Sequence, residues 1–337
     1  MDVEESIREN SNTDVRNPIF LDRGDVAALL SFPSLINHLQ FSLPLVSTSI
    51  QSPLRQNFPI NPCSSLLLMP SWSTSPSLPF IGVKIVTSFP QNSARNLPGI
   101  NASYVLFDSS TGQTLSMMDG TEITLWRTAC VSALAAKYLV RQDAEVLVMI
   151  GAGSLASYLI SAHLAAIPSL KKVVVWNRTA KKAQDLAKEM EEGESGSVSF
   201  QHGECLDEVV AMADVVSCAT RSEIPLVRGK LLKAGAHLDL VGSFNHSMRE
   251  CDDEAIGRGR VFVDNEAALV ESGELVGAFD RGVISRGDIG GTLLDLIKGD
   301  KVGRSSSDEV TVFKSVGSAV VDILTAQLVY ETRLIEV

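Results

Sequence analysis

The chain has 337 residues, 45% hydrophobic and 20% charged, which is enough apolar material for two ordinary domains without metals or disulfides. A net charge of −11 argues against a phosphate-backbone partner such as nucleic acid. The five cysteines (Cys63, Cys130, Cys205, Cys218 and Cys251) have no CxxC spacing, the five histidines are scattered, and no apolar run could span a bilayer, so reduced thiols, no metal centre and no membrane are expected.

Residues 1–17 are polar and acidic (Asp2, Glu4, Glu5, Glu9 and Asp14) and read as a flexible N-terminus. Such acidity fits neither a transit peptide nor a secretory signal, which makes the cytoplasm the expected compartment. Residues 19–43 have helix-like spacing that ends at Pro44. From there to about Gly120, short strands are predicted over 65–70, 80–87 and 103–107, with a Ser/Pro-rich loop over 71–79 and a hairpin-type turn over 108–112. This half reads as an α+β unit with its own sheet, and a helix over 121–140 leads out of it.

Next comes VLVMIGAGSLA, residues 146–156, an apolar strand running into a glycine turn and then a helix beginning near Ser154. The G-x-G-x-x-A spacing excludes bulk at three places. Gly151 allows the tight turn, Gly153 removes the Cβ that would block a diphosphate, and Ala156 lets the helix pack closely on the strand. A second strand over 172–176, then strands over 197–200, 214–218, 237–241, 261–263 and 311–315, alternate with helix-like segments. That alternation predicts a doubly wound parallel sheet of Rossmann type. A long apolar helix over 318–334 closes the chain.

The end of the second strand bears on the cofactor. NAD sites place an acid there for the ribose 2′-hydroxyl, whereas this chain has Asn177, Arg178 and Thr179. A guanidinium with two short polar neighbours suits a 2′-phosphate, so NADPH is favoured over NADH. Three basic residues also stand out: Arg55 in a loop, Lys84 inside the strand FIGVKIVT, and Arg127 within the apolar helix TLWRTACVSALAAKYL. A charge inside an apolar element is costly unless it faces a cleft or a partner. Together the three would make an anion site for a small carboxylate.

The motifs GVK at residues 82–84, MDGTEITLWRTACVSALAAKYL from Met118, GAGSLA at Gly151, WNRT at Trp176 and TVFKSVGSAVVD from Thr311 occur in the order found in the ornithine cyclodeaminase/mu-crystallin family, which this chain resembles over nearly everything after residue 20. The spans RQNFPINPCSSLLLMPSWS and HLDLVGSFNHSMRECDD are similar to its plant ketimine reductase branch, which makes pipecolate in plant immune metabolism. The resemblance implies a homodimer with a substrate-binding and dimerisation domain over 18–125 and 317–337, and an NADP-binding Rossmann domain over 126–316. It implies that Arg55, Lys84 and Arg127 hold the substrate and that Thr128 touches cofactor phosphate. Gly151, Ala152, Gly153, Ser154 and Leu155 would cradle the diphosphate, and Asn177, Arg178 and Thr179 the 2′-phosphate. Ala219 and Thr220 would flank the adenosine half, with Val241, Gly242, Ser243, Ser315 and Val316 bordering the nicotinamide. A plastid address is also implied as an alternative to the cytosol.

Cyclodeaminases of the family carry an acid/base aspartate shortly after the V-G motif. Here that place falls at Phe244, whose ring cannot shuttle protons. This favours reduction of a preformed C=N bond, Δ1-piperideine-2-carboxylate to pipecolate, over ornithine cyclisation. Asp239 nearby reads as structural. An ornithine cyclodeaminase, a mu-crystallin-like NADPH and small-ligand binding protein, and a dehydrogenase of linear imino acids stand as alternatives.

Overall fold

A computed structural model of the chain describes residues 17–336 other than 96, 194, 195 and 197, so the acidic segment 1–16 lies outside the described residues. Two sheets organise the fold. The first is built from β1 (Ile19–Leu21), β2 (Gln56–Asn61), β3 (Ser64–Trp72), β4 (Phe80–Ser88), β5 (Ile100–Asp108) and β6 (Thr114–Asp119) in the order β1-β6-β5-β4-β3-β2. All its pairs are antiparallel except β1 with β6. Strand alternation sorts its side chains. Met69, Lys84, Tyr104 and Met118 form one register row on the buried face, while Pro70, Val83, Val105, Met117 and Phe20 form the adjacent row on the other face.

Residues 19–43 are not one helical stretch. They divide into β1, α1 (Arg23–Ala28) and α2 (Phe32–Val46), with Asp22 and Ser31 as N-caps that stop the chain running through. Pro44 does not end α2, which continues to Val46. A proline so close to the C-terminus removes only one backbone bond before the helix closes. The short strands β1, β2 and β6 add to the three anticipated ones.

The connecting helix α3 (Gly120–Leu139) starts at the Asp119 cap and is buried over nearly its whole surface, because it packs on both sheets. The second sheet contains β7 (Val146–Ile150), β8 (Lys172–Trp176), β9 (Ser199–His202), β10 (Val215–Cys218), β11 (His237–Leu240), β12 (Arg260–Val263), β13 (Gly291–Thr292) and β14 (Thr311–Lys314). Their order is β13-β12-β14-β11-β10-β7-β8-β9, and every pair is parallel, as a doubly wound sheet requires. Between the strands run α4 (Ala156–Ala166), α5 (Ala180–Gly193), α6 (Leu206–Met212), α7 (Asp253–Arg258), α8 (Ala268–Glu271), α9 (Gly273–Asp280) and α10 (Leu293–Lys298). The closing helix α11 (Ala319–Ile335) returns to the first sheet, where it packs on β3, β4 and β5 as well as on α2 and α3. Among the described residues, no helix is long and apolar enough to cross a membrane.

Candidate active site

Because the second sheet is parallel, the C-terminal ends of its strands share one edge, and the order reverses between β7 and β10. Ligands of such sheets lie in the crevice beyond that switch point. Gly151 sits there with φ +108, its N–H donating to the Trp176 carbonyl at 2.8 Å. A Cβ at Gly151 would come within 2.7 Å of the Ala219 carbonyl, so only glycine lets the turn pass between β8 and β10. A Cβ at Gly153 would meet open space, which leaves room for a diphosphate against the turn. The helix begins at Ala156, two residues later than expected, with Ser154 and Leu155 completing the turn. Asn177 accepts from the Ala152 N–H at 3.3 Å and donates to the Thr179 carbonyl at 3.0 Å, while Arg178 and Thr179 are exposed. These residues fit a dinucleotide at the glycine turn.

Ala219 and Thr220 follow β10, Val241, Gly242 and Ser243 follow β11, and Ser315 and Val316 follow β14, so the structure brings the expected cofactor-lining residues to the same edge. Buried acids tie these loops together. Glu250 accepts from the Thr220 N–H at 2.6 Å and the Gly242 N–H at 2.7 Å. Burial pushes its carboxyl up to about 7. Asp264 accepts from Val316 and Gly317 N–H at 3.1 and 2.8 Å and so holds the turn into α11. Thr128 is buried, its hydroxyl donating back to the Thr124 carbonyl at 2.6 Å. Asp239 is fully buried and accepts from Ser132 at 2.9 Å and Ser217 at 2.7 Å, a structural tie between α3 and the sheet. Phe244 is exposed in the loop after β11.

The three basic residues converge on two carboxylates. Lys84 Nζ lies 2.7 Å from Asp322 Oδ2, and Arg127 Nε lies 3.0 Å from Asp322 Oδ1. Lys84 and Asp322 are both buried, so the charge read as costly inside a strand is offset by a partner from α11. Burial lowers the Lys84 ammonium to about 8, against the pull of Asp322 and with the help of Arg127 and Arg55. Arg55 reaches across from the loop before β2, its Nη2 lying 2.8 Å from Glu271 Oε2 and donating to the Val316 carbonyl at 3.2 Å. Gly317, with φ +84, turns the chain immediately beside Arg127; a Cβ there would come within 2.5 Å of its Nη1. Tyr104 places its hydroxyl in the hollow left by Gly82, where a Cβ would stand 2.0 Å away, and burial pushes that phenol well above its usual value.

Asp322, Glu271, Asp264 and Glu250 were not singled out by sequence reasoning. The available signal for Asp322 is a carboxylate in the first turn of an otherwise apolar helix. The others stand in loops or at element ends, where an acid is ordinary.

Comparison with known proteins agrees with this architecture. The family model for the ornithine cyclodeaminase/mu-crystallin family matches residues 16–335, and the chain belongs to that family. It is 57% identical over 318 residues to Protein SAR DEFICIENT 4 of Arabidopsis thaliana, covering 94% of this chain and 98% of that one. Among solved structures, Δ1-pyrroline-2-carboxylate reductase of Thermococcus litoralis in complex with NADH and L-proline superposes with a TM-score of 0.89 at 32% identity, covering 94% of this chain and 98% of the other. An archaeal alanine dehydrogenase dimer with bound NAD gives 0.86 at 28% identity, covering 95% of this chain. The expected fold class and the expectation of an oxidoreductase acting on a C=N bond agree with these relatives.

Proposed function

We propose that this protein reduces cyclic ketimine carboxylates with NADPH, the favoured reaction being Δ1-piperideine-2-carboxylate to pipecolate. The observation that carries the reading is the convergence of Lys84, Arg127 and Arg55 beside the strand ends that would hold the nicotinamide. The bound cofactor would supply the hydride. Arg127 and Arg55 hold the substrate carboxylate and so fix the imine carbon, and orientation of this kind removes several kcal/mol of barrier. Lys84 gives its proton to the ring nitrogen as the carbon is reduced, and solvent restores it. Asp322 keeps the Lys84 ammonium in one position and compensates its burial. A group at about 8 is charged at neutral pH yet close enough to release its proton readily.

Absence of an acid at the end of β8, together with exposed Arg178, supports NADPH over NADH. Phe244 speaks against ornithine cyclodeamination, which needs an acid/base there. The five-membered ring is the second reading, supported by the Thermococcus litoralis relative and its bound L-proline. We further propose division at residues 126 and 317 into a Rossmann domain and a domain that dimerises. Phe20, Phe58, Trp72, Ile85 and Met117 are exposed on one face of the first sheet, an apolar area that supports a homodimer. A molar mass of one chain in solution would contradict this.

The test is a panel followed by NADPH absorbance: the six-membered ketimine, the five-membered one, a linear imino acid and ornithine. Oxidation with the cyclic ketimines is expected, the six-membered ring being preferred. Ammonia release from ornithine without net oxidation, or stoichiometric binding without turnover, would overturn the reading.

A further inference from the structure

Two carboxylates serve the basic cluster, and they differ in how firmly they are held. Asp322 is fully buried between Lys84 and Arg127. Glu271 stands at the rim. Its side chain is 22% exposed and that of Arg55 23%, and their 2.8 Å contact joins the loop before β2 to the last residue of α8. Among these five groups, three positive charges face two negative ones. The surplus of one positive charge matches one carboxylate and no more.

We propose that Glu271 is a specificity-determining residue: it occupies Arg55 in the empty site, competes with the substrate carboxylate for that guanidinium, and repels a second carboxylate. The inference rests on the ketimine-carboxylate reading, because it needs a substrate acid group at Arg55. Exchange is assigned to Glu271 and not to Asp322 because an ion pair that reaches solvent can give up its partner to water or to a ligand, whereas breaking a fully buried one strands its partner. A dicarboxylic imino acid would bring a second negative charge towards the rim, where like charges at close range are strongly unfavourable. The preference for a monocarboxylate then follows from one rim acid.

The experiment compares the wild-type protein with Glu271→Gln and Glu271→Asp. KM and kcat are measured on a cyclic monocarboxylate ketimine, and binding of pyridine-2-carboxylate and pyridine-2,6-dicarboxylate to the NADP-loaded protein is followed by calorimetry. Glu271→Gln should lower KM for the monocarboxylate about fivefold, an effect falling on KM more than on kcat. The same change should tighten the dicarboxylate by about tenfold or more, and Glu271→Asp should restore most of the discrimination. Weaker binding of both pyridines by the same factor in Glu271→Gln would overturn the proposal, since Glu271 would then merely hold Arg55 in place. Unchanged constants would overturn it too. Failure of the wild-type protein to turn over any ketimine is a separate result that sinks the functional reading itself.

Discussion

Lys84 and Asp322 are far apart in the chain, yet they meet at 2.7 Å and both are buried. One stands on the central strand pair of the first sheet and the other in the first turn of the closing helix. Their contact, extended to Arg127, fixes where α11 must sit and gives the site its charge.

Asp322→Asn leaves two buried cations without their anion. Loss of one partner from a buried pair costs about 3 kcal/mol or more, so the denaturation midpoint in urea should fall clearly. Misplacing Lys84 and Arg127 should lower kcat/KM by roughly a hundredfold. A variant of wild-type stability and activity would mean that Asp322 is a bystander.

The acidity of Lys84 predicts a pH profile. Burial lowers its ammonium to about 8, so it carries the proton below that pH and loses it above. kcat/KM should therefore hold level to about pH 7 and fall through a limb near 8. Asp322 raises the Lys84 value, so Asp322→Asn should move the limb to lower pH. Stability runs the other way. The folded value lies below the ordinary 10.5, the unfolded chain binds the proton more tightly between the two, and the fold gains stability across that window. A profile without a limb between pH 7 and 9 would remove Lys84 as the proton source.

Gly317 turns the chain in the left-handed region beside Arg127. Gly317→Ala combines backbone strain of about 1–2 kcal/mol with a side chain pressed on the guanidinium. Substrate KM should rise several-fold and by more than cofactor KM, since most of the residues proposed to hold the cofactor lie away from this turn. Equal changes in both would show that the turn shapes the cofactor end as well.

Arg178 is exposed just after β8, where the proposed function places the 2′-phosphate of NADPH. Arg178→Ala should raise KM for NADPH about tenfold and leave that for NADH nearly unchanged, as measured by initial rates with each coenzyme. Parallel changes would mean that the guanidinium does not read the phosphate.

How far the chain disclosed this architecture depends on the range of the interactions concerned. The Gly151 turn is legible because its strand, its glycines and its helix are contiguous, and bulk is excluded locally. Lys84 and Arg127 are legible because a charge inside an apolar strand or helix demands a partner. The identity of that partner is not legible: Asp322 reaches them only through the return of α11, and Glu271 reaches Arg55 only when α8 meets the loop before β2. β2 escapes notice since every residue of Gln56–Asn61 is exposed and no alternation marks a buried face. Pro44 misleads for a different reason, since near a helix end its missing N–H matters little.

Under the proposed reaction, hydride passes to the carbon bearing the substrate carboxylate. Incubation of Δ1-piperideine-2-carboxylate with NADPH deuterated at the transferred position, followed by mass spectrometry and NMR of the product, tests this directly. Pipecolate should carry one deuterium on its α-carbon and form one for one with oxidised cofactor. Product without deuterium at that carbon, or no pipecolate at all, would contradict it.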